Sequence, residues 1–199
     1  MAERLSFEEG KELVKLARKS ISYMLATGLL FKEKTNEKKF LEKRGVFVTL
    51  NLHPGGELRG CIGLPYPVKP LWSAVIEAAV SAALHDPRFQ PLKSKELEEI
   101  TVEVSVLTEP KKADKSGLPD SIRIGEHGLI IEKGYNSGLL LPQVATELGW
   151  DAETFLEQVC LKAGLYAKAW KAPDATIKIF SAQIFSEEKP GGKISEKKI

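Results

Sequence analysis

Cysteine is scarce in this chain of 199 residues, and its scarcity excludes two classes of metal site. The only two cysteines, Cys61 and Cys160, lie in segments of different type and form no Cys-x-x-Cys pair. Iron–sulfur clusters and structural zinc sites are built from several cysteines at short spacings. Neither framework can therefore be formed within one chain.

Other signatures are also missing. The sequence contains neither GxxxxGK[ST] nor GxGxxG, so no nucleotide cofactor is predicted. It has no His-x-x-x-His pair, so we predict no metal site, although His85, Asp86, His127 and Cys61 are the residues that one would use. No apolar run is long enough to span a membrane. The start, MAERLSFEEGKELVKLARKS, lacks the apolar core of a signal peptide, and we expect a cytoplasmic protein with reduced thiols.

Charge is nearly balanced. The 29 basic and 27 acidic residues leave a net charge of +2, which is too small for a strong electrostatic attraction to nucleic acid or to a membrane surface. Lysine and glutamate dominate the charged residues, while Asn, Gln, Cys and Met are scarce. This bias is typical of proteins that work at high temperature, and it predicts a thermophilic source.

Periodicity predicts helices and strands in alternation along the first half of the chain. The charged segment 32–44 reads as a solvated loop, with a lid over a cleft as the alternative. Alternation predicts that strand 100–108 is half-exposed, with Thr101, Glu103 and Ser105 facing outward. The other predicted elements are a capped helix over 6–27, a hairpin of strands 45–52 and 58–64, and a helix from Pro70 to about His85.

The second half repeats the order of hairpin, helix and strand. The predicted elements are a connection over 109–120, a short strand over 121–124, a hairpin of strands 129–133 and 138–141, a helix opened by Pro142, a helix capped by Asp151, a long strand over 176–185, and a frayed end from 187 onward. The fold class predicted is α+β, with mostly antiparallel sheet. We expect a single domain over 1–199, made of two interleaved sub-units (about 45–108 and 121–186) that arose by internal duplication and enclose a cleft.

The densest cluster of unusual residues is Leu58-Arg59-Gly60-Cys61-Ile62-Gly63. Side chains alternate between the two faces of a strand, so Arg59, Cys61 and Gly63 would share one face. Two glycines in one strand indicate a bulge or a close approach by another backbone or a ligand. This strand is therefore the best candidate for a site.

The motif LRGCIG, preceded by GVFVTL and followed by HDPRF and LLLPQVA, resembles the AMMECR domain family, named for the Alport syndrome, midface hypoplasia and elliptocytosis chromosomal region. The resemblance runs from about Gly45 to Trp170. It implies a two-part α+β domain with the LRGCIG strand near a cleft, and no established reaction. It also implies association with Memo-like and radical S-adenosylmethionine proteins as partners.

Cys61 is the candidate catalytic nucleophile, because a nearby guanidinium favours the thiolate. A cysteine hydrolase would also need a base, and the candidates are His53, His85 and His127, each in or beside a turn. The alternative for Cys61 is a buried, structural cysteine. Cys160 lies on the apolar face of a helix and is predicted to be core.

The candidate ligand-binding residues are Arg59, Gly60, Gly63, Asp86, Arg88 and Gln143. Arginine is a bidentate donor of fixed charge, which suits a carboxylate or a phosphate. Ordinary roles remain as alternatives: a salt bridge for Arg59, mutual pairing for Asp86 and Arg88, and a place in a helix first turn for Gln143. Phe89 reads as core.

Two functional hypotheses follow. The first is an enzyme, or an enzyme subunit, that binds a small anionic or nucleotide-like ligand in a cleft lined by the LRGCIG strand. The alternative is a non-catalytic binding or adaptor module that serves a partner enzyme, such as a radical S-adenosylmethionine protein.

Overall fold

The structure, a computed structural model, describes residues 3–197 and confirms the predicted α+β class. Within that range, helices pack with two antiparallel sheets. The helices are α1 (Phe7–Thr27), α2 (Lys38–Leu41), α3 (Leu71–Leu84), α4 (Pro142–Glu147) and α5 (Ala152–Lys162). The strands are β1 (Gly45–Leu52), β2 (Leu58–Leu64), β3 (Ile100–Leu107), β4 (Lys111–Lys112), β5 (Gly128–Lys133), β6 (Asn136–Leu140), β7 (Thr176–Phe180), β8 (Ala182–Glu187) and β9 (Ile194–Lys197).

The chain divides into two compact units. Residues 3–107 and 183–197 form the first unit, and residues 108–182 form the second. The first sheet has the strand order β2-β1-β3-β8-β9, and the second has the order β4-β7-β5-β6. Each half contains a hairpin, helices and a further strand, and the internal duplication and the cleft inferred from that order stay predictions.

The core of the first unit lies between one face of its sheet and the helices α1 and α3. Alternate residues of β1 and β3 point to this face, and they pair across the two strands from Val46↔Val106 to Leu50↔Val102. All of them are buried. Helix α3 packs on them through a run of small buried alanines, which lets its backbone approach the sheet closely.

Local signals in the sequence account for α1 and the first hairpin. Ser6 caps α1, its side chain accepting from the backbone of Glu9 while Glu9 reaches back to Ser6, which confirms the predicted capping box. The strands β1 and β2 pair antiparallel, with Thr49 opposite Cys61, and a register shift follows Leu50. The motif strand β2 is therefore an edge strand held by β1.

The prediction that β3 is half-exposed is wrong. Every residue of β3 is buried, including Thr101, Glu103 and Ser105. The strand lies in the middle of the sheet, between β1 and β8, and Lys197 of β9 forms a salt bridge of 2.6 Å with Glu103. The alternating polar residues of β3 therefore form a polar face that is buried within the fold and not exposed to solvent.

The predicted long strand 176–185 is two strands, and they belong to different sheets. Strand β7 pairs with β5 in the second unit, whereas β8 pairs with β9 in the first. The predicted fraying from 187 onward is also wrong, because Glu187 is buried and forms a salt bridge with Arg18 of α1. Residues 198 and 199 lie outside the described range.

Two further segments differ from prediction. Segment 121–124 forms turns and not a strand, with Ser121 donating to Gly117 and Ile122 to Pro119. The charged segment 32–44 is as predicted only in part: residues 32–37 form a mostly exposed loop, whereas α2 anchors the end of the segment. Phe40 of α2 is fully buried and stacks on Trp72, with ring centroids 5.3 Å apart.

The second unit has its own core. Its four-stranded sheet packs against α5, which Asp151 caps by accepting a hydrogen bond from the backbone of Thr154, as predicted. Pro142 opens α4 in the predicted place. The apolar side chains that form this core include Leu129, Ile131, Phe155, Leu156, Trp170 and Ile177.

Candidate functional site

The two faces of β2 have different environments. Arg59, Cys61 and Gly63 alternate with Gly60 and Ile62, as an extended strand requires. An ideal Cβ at Gly60 would lie 2.2 Å from the carbonyl oxygen of Ala82, in the backbone of α3. The close approach predicted at Gly60 is therefore made by a helix backbone, and any contact between Gly60 and a ligand stays a prediction.

Gly63 has a different neighbour. Phe47 lies opposite it on β1, and an ideal Cβ at Gly63 would lie 2.5 Å from the Phe47 ring and 2.2 Å from the carbonyl oxygen of Val46. An aromatic ring thus covers the glycine across the strand pair. At both glycines, the space of a side chain is already occupied by protein, so neither opens a cavity by itself.

Arg59 forms a salt bridge and still retains a buried donor. Its Nε donates to Glu96 Oε1 at 2.9 Å, and only 12% of its side chain is exposed. Burial alone would raise the pKa of Glu96, but the hydrogen bond from Arg59 and the backbone N–H of Lys93 hold it below its ordinary value. Among the described residues, Arg59 Nη1 is buried and has no hydrogen-bond partner.

Asp86 and Arg88 hold the outer edge of the motif strand. Asp86, whose side chain is 2% exposed, accepts the backbone N–H of Cys61 at 2.8 Å. Arg88 binds the same carboxylate through Nε and Nη2 and also donates from Nη2 to the carbonyl oxygen of Cys61 at 3.3 Å. The hydrogen bonds from Arg88 lower the pKa of Asp86 to about 2, against the opposing effect of burial. Asp86 and Arg88 therefore bond to the backbone N–H and carbonyl oxygen of Cys61, which a neighbouring strand would otherwise pair at this edge of the sheet.

Phe89 links the two arginines. The guanidinium carbon of Arg59 lies 5.9 Å from the centroid of the Phe89 ring, and that of Arg88 lies 5.5 Å from it. Both distances are within the range of a cation–π contact. Phe89 is half-buried and packs with the site instead of lying deep in the core.

Cys61 is half-buried beside these groups, and the hydroxyl of Thr49 donates to its Sγ at 3.3 Å. Thr49 is in turn opposite Glu103 on β3, so a polar row crosses three strands. Sequence reasoning missed Thr49 and Glu96. Pairing across the hairpin could have found Thr49, whereas nothing in the sequence points to Glu96.

Six of the seven predicted site residues belong to the first unit: Arg59, Gly60, Cys61 and Gly63 on β2, and Asp86 and Arg88 beside that strand. Gln143 is the second residue of α4 and belongs to the second unit. Cys160, in α5, is fully buried as predicted, and burial raises the pKa of its thiol.

The three histidines remain at turns. His53 follows β1, and its backbone N–H donates to Glu99; His85 ends α3. In the second unit, His127 accepts a hydrogen bond from the backbone of Arg123 through Nδ1. Burial lowers the pKa of His127, and so does the charge of Arg123. Which of the three, if any, acts with Cys61 stays a prediction.

Within residues 3–197, no group of three or more His, Cys, Asp and Glu side chains has a geometry that could hold a metal ion. A cavity of about 250 Å³ lies elsewhere in the first unit, between α1 and residues 33–35, with Trp72 in its wall. None of the predicted site residues lines it.

Across the part of the chain that the structure describes, no helix has the length and apolar character that crossing a membrane requires.

Comparisons with known proteins give consistent matches. A family model described as AMMECR1 matches residues 14–185. A protein of Methanopyrus kandleri is 52% identical over 201 residues, covering 99% of this chain and 97% of its own length. A protein of Methanocaldococcus jannaschii is 48% identical, with 98% of both chains covered. The crystal structure of an uncharacterized protein from Pyrococcus horikoshii superposes with a TM-score of 0.95 at 46% identity, covering 98% of this chain and 99% of that one.

Proposed function

This chain belongs to the AMMECR1 family, and from that premise we propose that it binds a small anionic ligand at Arg59, beside Cys61. The observation that carries the proposal is the buried Nη1 of Arg59, which has no acceptor among residues 3–197. The guanidinium group is always charged in proteins. The Nη1 group of Arg59 therefore stays a charged hydrogen-bond donor and cannot avoid the cost of burial by losing a proton. A buried donor without an acceptor costs about 1–3 kcal/mol, and an anionic oxygen would remove that cost.

The surroundings of Arg59 suit binding. Glu96 holds one edge of the guanidinium and Phe89 lies against it, so the group is oriented before a ligand arrives, which reduces the entropy lost on binding. Because Nη1 is out of contact with solvent, a ligand reaches it only after a neighbouring side chain moves. The half-buried Phe89, whose ring lies against the guanidinium, is one such neighbour.

Cys61 lies within reach of a ligand bound at Arg59. Two residues along an extended strand span about 6.6 Å, and both side chains are on one face. The hydroxyl of Thr49 donates to Sγ, so the sulfur acts as an acceptor in this arrangement. We favour an enzyme or an enzyme subunit in which the thiol of Cys61 contacts the ligand, as a nucleophile or as a binding group.

The test uses inorganic phosphate as the probe anion. Phosphate titrated into the ¹⁵N-labelled protein should shift the backbone amides of residues 59–63, and Arg59→Ala should abolish those shifts. Arg44→Ala is the matched control, because Arg44 is also buried and salt-bridged, to Glu42, but lies at the opposite end of β1. Absence of shifts at millimolar phosphate, or shifts that survive Arg59→Ala, would overturn the proposal.

The alternative is a non-catalytic module that delivers the ligand to a partner enzyme, such as a radical S-adenosylmethionine protein. Cys61→Ser separates the two, because a serine hydroxyl is far less ionised than a thiol near neutral pH. In a strain in which loss of the native copy causes a measurable defect, a Cys61→Ser chain that is folded and binds phosphate should correct that defect if the module is non-catalytic. It should fail to do so if Cys61 is a nucleophile.

A further inference from the structure

We propose that the ligand carries two anionic groups, one held by Arg59 and the other by Arg88 across the ring of Phe89. This inference rests on the proposed function above and names the class of its ligand. A diphosphate and a short dicarboxylate share the required chemistry, which is two anionic groups a few bonds apart.

The spacing of the two arginines supports a single ligand. Both guanidinium carbons lie within 5.9 Å of one ring centroid. Two cations over one ring, each within ~6 Å of its centroid, are at most about 12 Å apart. Each hydrogen bond to an anion takes up ~3 Å of that span, so only a short bridge between the anionic groups fits.

Each guanidinium also keeps a donor for such a ligand. Arg88 uses Nε and Nη2 for Asp86 and for Cys61, and within the described residues its Nη1 has no hydrogen bond. Arg59 uses Nε for Glu96 and leaves Nη1 without an acceptor. In both arginines a carboxylate fixes one edge of the planar group and leaves a nitrogen of another edge without a protein acceptor, an arrangement that positions the fork for recognition.

Arg59 and Arg88 differ in how deeply their side chains are buried, so the two ends of the ligand would lie in different environments. The side chain of Arg59 is 12% exposed and that of Arg88 is 51% exposed. One anionic group would therefore be held deep, near Cys61, while the second would remain near solvent. Asp86 and Glu96 offset much of the positive charge, so two contacts, and not charge alone, would have to provide the affinity.

The experiment compares probes with one and two anionic groups by calorimetry: inorganic phosphate against pyrophosphate, and acetate against succinate. At equal ionic strength, at least one of the two-anion probes should bind about tenfold or more tighter than its one-anion partner, as a second charge-assisted hydrogen bond provides. Arg88→Ala should bring that ratio close to one. The pair of probes that shows the preference identifies phosphate or carboxylate as the anion.

The controls separate this inference from the proposed function. Arg123→Ala removes another exposed arginine that is paired with a carboxylate, that of Glu126, and it should leave the ratio unchanged. Arg88→Lys keeps a cation near Asp86 if Arg88→Ala fails to fold, and it should lower the ratio because lysine lacks the second nitrogen. If one-anion probes bind through Arg59 and the ratio is one in the wild type, this inference is wrong and the proposed function stands. If no probe binds, both fail.

Discussion

At the scale of single residues, the two cysteines differ most clearly in access. Iodoacetamide at neutral pH should label Cys61 well before Cys160, because Cys61 is half-buried whereas Cys160 is fully buried with a raised pKa. Arg59→Ala should slow the labelling of Cys61 if the guanidinium, on the same face of β2, favours the thiolate as the sequence predicts. Mass spectrometry of the quenched protein gives both rates, and the protein unfolded in urea, where both thiols should react, is the control. Equal protection in the native state would make Cys61 a structural residue.

The carboxyl group of Asp86 should make the stability of the folded protein depend on pH. Its pKa is lowered to about 2 in the folded protein, first by the hydrogen bonds from Arg88, against an ordinary value of 3.8. A carboxylate with a lowered pKa stabilises the fold above its unfolded pKa, and that stabilisation is lost as the pH falls from about 5 towards 2. The shift corresponds to about 2 kcal/mol, reduced because Arg88 is half-exposed.

Urea unfolding of the wild type and of Asp86→Asn at pH 7 and pH 3 measures this contribution. The variant should be less stable at pH 7, and the difference should shrink at pH 3. Asp174→Asn is the control, because that carboxylate pairs with Lys133 but is 65% exposed and should matter little. A difference that does not change with pH would show that the ion pair with Arg88 is not what Asp86 contributes.

At the scale of elements, the approach of α3 to β2 explains why a glycine precedes Cys61. Gly60→Ala would place a methyl group 2.2 Å from the carbonyl oxygen of Ala82, and backbone cannot move aside as a flexible side chain can. We expect a loss of about 1–3 kcal/mol or more, as for other overpacked sites. Gly117→Ala is the control, since its nearest neighbour is at 3.7 Å. A Gly60→Ala variant as stable as the wild type, by thermal unfolding, would contradict the packing described.

Elements with their own local signals could be predicted from the sequence. Helix α1 has its capping box and the first hairpin has its turn between two β-rich runs, so both lie where they were expected. The break at Ser181 could not be predicted in this way. No glycine or proline separates β7 from β8, so the sequence reads as one strand, and the pairing partners, β5 and β9, separate the two.

The same limit applies to the site. Alternation along β2 places Arg59 and Cys61 on one face, because that depends on the strand alone. The partners depend on tertiary packing: Glu96 lies in a short helical turn 37 residues after Arg59, and Asp86 reaches the edge of β2 from the end of α3. The salt bridge considered for Arg59 and the mutual pairing considered for Asp86 and Arg88 are both present. The buried Nη1 of Arg59, in contrast, was visible only in the structure.

At the scale of the whole molecule, the family match from 14 to 185 extends over both units. The sheet that carries the LRGCIG motif is built from both ends of the chain, since β8 and β9 follow the second unit in sequence. Residues far apart in the sequence, such as Glu103 and Lys197, therefore pair within it. The arrangement makes the motif face a property of the complete fold and not of a local segment.

The central claim is that Arg59 Nη1 is a donor kept for an anion. A crystal structure of the protein determined at saturating inorganic phosphate tests it most directly. We expect an anion within ~3 Å of Arg59 Nη1, with Glu96 still bound to Nε and with the side chain of Phe89 shifted. The claim would be contradicted by an Nη1 bonded to a protein acceptor, with no anion on the Arg59–Cys61 face of β2.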